Sequence, residues 1–210
     1  MVGFMRRYDD GYRAMKEVVA SGDIGAPLLF HSAHRNPAVP PAVTSAMMIV
    51  DTCVHDIDTA RFLLDAEVVA TQVFKPRRTS RAAEHLQDPL ILQLEMANGA
   101  LVHVEAAVNI AYGYDIRGEI VGETGTVELA ESSRVIVKRF LRAYDVELQE
   151  WLDAVTAGRS TGPSAWDGYA ATVVCDAGVE ALNSGRRAEV SLREQPDLYR
   201  DAPASATGTD

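Results

Sequence analysis

Apolar and polar positions alternate most clearly in the middle of the chain, where Leu90, Leu92, Leu94 and Met96 are interleaved with Ile91, Gln93 and Glu95. That period of two predicts a strand with one covered face and one partly polar face. Ala97-Asn98-Gly99 separates it from a second strand over 100–108. The Asn-Gly pair is a hairpin signal, because both residues accept positive φ. Further strands are predicted over 28–34, 69–74, 115–121, 126–129 and 135–138, and Val2-Gly3-Phe4-Met5 reads as another. Gly122-Glu123-Thr124-Gly125 is the turn of a second hairpin.

Helical spacing appears on either side of these strands. Asp9 and Asp10 offer an N-cap for a helix to about Ala20 that buries Tyr12, Met15, Val18 and Val19, with Gly22 at its left-handed end. A central helix is predicted from the recurrence of Val50, Val54, Ile57, Arg61 (through its stem) and Leu64. Two more helices, over 145–156 and 165–182, are separated by the breaker stretch from Gly158 to Pro163. Pro37, Pro40 and Pro41 keep the segment before the central helix irregular. Hairpin-joined strands between terminal helices predict an α+β fold: a largely antiparallel open sheet with helices on one face. The strands carry more apolar side chains than one covered face requires, so the open face is expected to bind a second copy.

With 210 residues, 47% of them hydrophobic, the chain can bury the core of one domain, expected over 1–200, before a small polar tail at 201–210 that reads as disordered. A net charge of −10 argues against nucleic acid and anionic membrane as partners. No apolar run approaches the ~20 residues of a membrane helix. The first residues carry two arginines but no following apolar run, so they do not read as a signal peptide. Cys53 and Cys175 belong to no spacing motif, and a reduced, cytoplasmic protein is the expectation.

Asp51 and His55 stand four apart on the central helix, which would stack them on one face. A carboxylate beside an imidazole orients the ring and stabilises its protonated form, so the pair can serve as a general base. With Asp58 the same face could hold a metal, and from these residues alone a solvated helix face is the default. His31, His85 and His103 have no partner in the sequence and read as structural.

Several separate motifs shift that weighting. Val2-Gly3-Phe4-Met5-Arg6-Arg7-Tyr8-Asp9, Ala33-His34-Arg35-Asn36-Pro37 and Asp51-Thr52-x-x-His55-x-x-Asp58 occur in order, followed by the runs from Gly118 to Val127 and from Gly162 to Ala170. Together they resemble the C-terminal half of the Gfo/Idh/MocA oxidoreductases, of the kind that oxidise myo-inositol to the 2-keto inosose with NAD. The resemblance implies His55 as the catalytic base and Asp51 as its orienting partner. It implies Met5, Arg6, His34, Asn36, Thr52 and Tyr114 as substrate-binding residues, a polyol or sugar as substrate, and no metal, while Arg7 by itself reads as a surface charge. Members of the family begin with a Rossmann domain that holds NAD and carries a catalytic lysine in a Glu-Lys-Pro motif. No Gly-x-Gly-x-x-Gly occurs in this sequence. Phe74-Lys75-Pro76 follows the Asp/His helix, whereas the family lysine precedes it, so Lys75 reads as an ordinary surface lysine. The step from Lys138 to Arg142 is shorter than the loop expected there. The resulting expectation is a truncated half-enzyme, inactive alone, whose partners are its own copies or a separate Rossmann-domain chain. A non-catalytic polyol-binding or self-association module is the alternative, and a metal enzyme built on the central helix is a third.

Overall fold

Strands β3 (Leu90–Met96) and β4 (Leu101–Ala107) form the expected central hairpin, with Leu92 opposite Val104 and Leu94 opposite Val102. In the computed structural model, which describes residues 1–129 and 140–200, they lie inside a seven-stranded sheet. The expected strand at 135–138, the short connection beginning at Lys138 and the tail at 201–210 lie outside the described residues. The remaining strands are β1 (Pro27–Arg35), β2 (Val68–Phe74), β5 (Asp115–Gly122), β6 (Thr126–Glu128) and β7 (Ala188–Glu189), in the order β6-β5-β1-β4-β3-β2-β7. β1 and β4 run parallel, and every other described pair is antiparallel. The two-residue β7 was not foreshadowed by any pattern.

The alternation decides which face is covered. Phe30, Ser32, His34, Leu92, Leu94, Val102 and Val104 are buried, whereas Leu29, His31, Leu101 and His103 on the other face are exposed. Each fully buried large apolar side chain contributes about 1.5–3 kcal/mol relative to exposure. The 97–99 turn differs from the expected form. Gly99 has φ 88° but Asn98 does not enter the positive-φ region. Asn98 instead accepts from the Ala100 N–H and donates to the Leu64 carbonyl, so the turn also ties the hairpin to the central helix. Gly122 closes β5 where the chain at Ile24 crosses it; a Cβ there would land on the Ile24 carbonyl oxygen.

Helix α1 (Asp10–Ser21) begins at Asp9, whose carboxylate accepts from the Gly11 and Tyr12 N–H groups, and ends at Gly22 with φ 79°. The residues before it do not form the expected strand. Met5–Tyr8 is a 3-10 turn, and Val2 donates its N–H to the Pro163 carbonyl instead of joining the sheet. The central helix has three parts: α2 (Ser45–Met47), a π-helical segment (Met48–Cys53) and α3 (Val54–Leu64). The wide π turn moves the buried stripe by one residue. Met48, Ile49 and Cys53 are fully buried, while Val50, expected inside, is 39% exposed. Helices α4 (Leu141–Thr156) and α5 (Ala165–Ser184) follow, the latter started by a Ser164/Asp167 capping box. Gly178 lets α5 approach Ile49 closely, and the Cys175 thiol donates to the Ile49 carbonyl oxygen.

Candidate functional site

Asp56, on the first turn of α3, is fully buried, and a carboxylate taken from water needs partners for its charge. It has three. Arg6 Nη1 donates at 2.6 Å and Ser32 Oγ at 2.7 Å to one oxygen, and His34 Nδ1 lies 2.9 Å from the other. Arg6 Nη2 is 3.0 Å from the same His34 nitrogen. With its proton on Nδ1 the ring donates to Asp56; with it on Nε2, Nδ1 accepts from Arg6. Burial alone would raise the Asp56 pKa, but Arg6 and His34 hold it well below the usual carboxylate range. Burial lowers His34, keeping the ring neutral. The 3-10 turn, β1 and α3 are thereby fixed to one another by a single carboxylate.

His55 precedes that hub and sits edge-on to Phe4, ring centroids 6.3 Å apart. Its Nδ1 is buried without a hydrogen-bond partner, which leaves Nε2 as the nitrogen open to solvent. Burial, then the nearby Arg6 charge, pushes its pKa down to about 4. The ring is therefore neutral at neutral pH, and the same burial and Arg6 charge disfavour its protonated form.

Asp51 does not pair with it. The π segment ends at Cys53, so the four-residue stacking of a regular α-helix is lost, and Asp51 lies exposed with no hydrogen bond to His55. Of the other expected site residues, Met5 is buried, and Tyr114 meets the His34 ring edge-on at 6.1 Å. Arg6 is 1% exposed and engaged with Asp56 and His34, its Nε alone lacking a partner. Asn36 and Thr52 are half-buried. The Asn36 backbone is held by Ala107 and Ile110. The hub thus gathers Arg6, His34 and Tyr114 beneath His55, while Asp51, Thr52 and Asn36 make no described contact with it.

Sequence reasoning missed Asp56 and Ser32. It also took Arg7 for a surface charge, whereas Arg7 binds Asp58 through two nitrogens, at 3.0 and 2.7 Å, and Asp167 at 2.7 Å. Asp167 also meets Arg61, whose guanidinium pairs with Glu67. Burial raises Asp167, but Arg7 and the Ser164 N–H bring it down to about 2. This network leaves Asp58 committed to Arg7 rather than aligned with Asp51 and His55. Lys75 is exposed. Cavities of about 680 and 490 Å³ open elsewhere, the first lined by His31, His103 and Glu105 and the second by Arg7, Arg61 and Asp167.

Two neutral histidines, buried His34 and half-buried His55, make stability pH-dependent. The folded pKa of His55 lies below the unfolded value, so between those values the unfolded chain binds more protons and stability falls as pH falls. For His55 the loss develops from about pH 6.5 towards pH 4 and reaches up to ~3 kcal/mol, with His34 acting in the same direction. Denaturant unfolding at several pH values checks this. His55→Gln flattens the slope in that window; an unchanged slope contradicts the assignment.

Two of the described helix N-termini are closed to the pyrophosphate of NAD. The helix N-termini at Asp10 and Ala165 are filled by this chain's own carboxylates, Asp9 and Asp167, and no glycine-rich turn is present. No helix among the described residues is long and apolar enough to cross a membrane.

Residues 12–128 match the family model for the GFO/IDH/MocA C-terminal domain. The chain is 53% identical to inositol 2-dehydrogenase 3 of Saccharopolyspora erythraea, the alignment covering 94% of this chain and 63% of that protein. It is 50% identical to inositol 2-dehydrogenase of Serratia proteamaculans over the same shares. Its fold superimposes with a TM-score of 0.90 on the Lactobacillus casei myo-inositol dehydrogenase solved with NAD(H) and myo-inositol, at 35% identity, covering 95% of this chain and 64% of that one. The chain thus spans less than two thirds of the length of these relatives.

Proposed function

Because the chain belongs to the Gfo/Idh/MocA family and corresponds to its C-terminal domain, we propose that it is the substrate-binding half of an NAD-dependent inositol 2-dehydrogenase. NAD, when bound, would supply the hydride acceptor, and the remaining length of the relatives is where its seat would lie. The observation that carries the reading is His55: a neutral imidazole with a solvent-facing Nε2, standing on a buried, fully charged Arg6–Asp56 pair. In this reading Nε2 takes the hydroxyl proton of the polyol. Burial and the Arg6 charge keep the ring unprotonated beforehand. Asp51, exposed at the rim, turns towards the ring to hold it when substrate is bound, a contact that apo geometry often lacks.

A polyol needs partners for each hydroxyl it buries. Asn36 and Thr52, whose half-buried side chains make no hydrogen bond among the described residues, supply donors and acceptors, and Met5 and Tyr114 supply apolar and aromatic walls. Arg6 fixes His34 beneath them. The open sheet face, with Leu29 and Leu101 exposed, is the surface for self-association, and the protein works in the cytoplasm.

Saturation-transfer NMR on the 210-residue chain tests the reading. It predicts transfer to myo-inositol that is lost in Asn36→Ala/Thr52→Val, and no NADH formation by the chain alone. Absence of transfer contradicts the polyol site, and NADH formation by the isolated chain contradicts its being a half-enzyme.

A further inference from the structure

The carboxylate–imidazole pair expected at Asp51 and His55 is found instead between Asp56 on α3 and His34 on β1. One Asp56 oxygen, Oδ1, accepts from both Arg6 Nη1 and Ser32 Oγ. The other, Oδ2, has a single described contact, His34 Nδ1 at 2.9 Å. That nitrogen is contested, because Arg6 Nη2 also approaches it, to 3.0 Å. A neutral imidazole has one N–H and one bare nitrogen, so only one of the two contacts is a hydrogen bond. If Nδ1 is bare, Oδ2 has no donor, and a buried charged acceptor left unmet costs at least about 1–3 kcal/mol. If Nδ1 carries the proton, Oδ2 is satisfied and only Arg6 Nη2 goes without. Arg6 already meets the carboxylate through Nη1 at 2.6 Å, and its delocalised charge tolerates an unpaired Nε.

We propose that Asp56 is a positioning residue that holds His34 in its Nδ1–H form, so that Nε2 faces the candidate site as a bare acceptor for a substrate hydroxyl. The bond made by one ring nitrogen decides which nitrogen carries the proton. Tyr114, edge-on at 6.1 Å, fixes the plane of the ring. Burial keeps the ring neutral. His34 Nε2 bonds to no described residue and, unlike His55 Nδ1, is not sealed from solvent. A hydroxyl can donate to this nitrogen, whereas a ketone or ether oxygen meets its lone pair, so the site selects an alcohol at this point. The inference rests on the polyol reading above and names a group that sets its specificity.

Long-range proton–nitrogen NMR on the ¹⁵N-labelled 210-residue chain near neutral pH tests it. The spectrum separates protonated from bare ring nitrogens, and His34→Gln identifies the His34 signals among the five histidines. The native chain is expected to show a protonated Nδ1, its proton far downfield and slow to exchange, and a bare Nε2. Asp56→Asn keeps an oxygen for Arg6 and Ser32 but puts a donor-only NH₂ against Nδ1. The proton then moves to Nε2, while Ser32→Ala leaves it on Nδ1. Added myo-inositol shifts the Nε2 signal upfield in the native chain and not in Asp56→Asn. A native His34 protonated on Nε2 overturns the proposal, and the native spectrum decides this even if Asp56→Asn fails to fold. So does a folded Asp56→Asn with the native tautomer, or bound polyol that leaves Nε2 unmoved. Saturation transfer reports polyol binding separately: its absence undoes the polyol reading and leaves the tautomer result standing.

Discussion

Replacing His55 by alanine, in the chain joined to the N-terminal domain of a longer relative, lowers turnover by ~10²–10⁴-fold while the Michaelis constant for myo-inositol changes little. The split follows from the role. A base acts where the proton moves, in the transition state, whereas the His55 ring nitrogen Nδ1 has no hydrogen-bond partner in the resting structure whose loss would weaken ground-state binding. Its lowered pKa keeps it available throughout the neutral range. Lys75→Ala is the matched control, because that lysine is exposed and outside the hub, and it leaves turnover unchanged. Steady-state kinetics decide the matter: full turnover in His55→Ala, or its loss in Lys75→Ala, would falsify the assignment of the central helix as the catalytic element.

Asp56→Ala is expected to destabilise the chain more than other single substitutions in the site. It leaves the Arg6 guanidinium, itself 1% exposed, without its counter-charge, and strips Ser32 and His34 of an acceptor. Breaking a buried pair on one side costs about 3–5 kcal/mol. For a domain of this size that corresponds to a fall in melting temperature of roughly 6–20 °C. Ser32→Ala, which removes one neutral donor, costs about 1 kcal/mol by comparison. Thermal unfolding of the two variants checks the ordering. An Asp56→Ala protein as stable as Ser32→Ala means that Arg6 finds another partner and that the hub is not what joins the 3-10 turn, β1 and α3.

The sheet was legible because its signal is local. Leu90, Leu92, Leu94 and Met96 alternate with the other positions, and the observed strand has those same ends. Gly22 likewise marks a helix end by chemistry contained within a few residues. The errors fall where a distant partner decides. Val2–Met5 has strand-like composition, yet its N-terminal end is claimed by Pro163, 161 positions along the chain, and the residues after it wind into a 3-10 turn. The π segment looks like regular helix in sequence; α5, packed through Gly178 and Cys175, meets it at Ile49. Asp56 stood beside the residue under scrutiny and was passed over, since its partners Arg6, Ser32 and His34 are 50, 24 and 22 positions away. His55 stood out through its motif. The hub that supports it became visible only when three elements were brought together.

The central claim, that this chain is the polyol-handling half of an oxidoreductase, is tested most directly by restoring the other half. The N-terminal domain of the Saccharopolyspora erythraea relative is joined ahead of Met1, and NADH formation is followed with NAD and myo-inositol. The account predicts NADH that requires both halves and the polyol, and that disappears when His55 is replaced. A folded fusion that binds NAD and myo-inositol yet forms no NADH would contradict it.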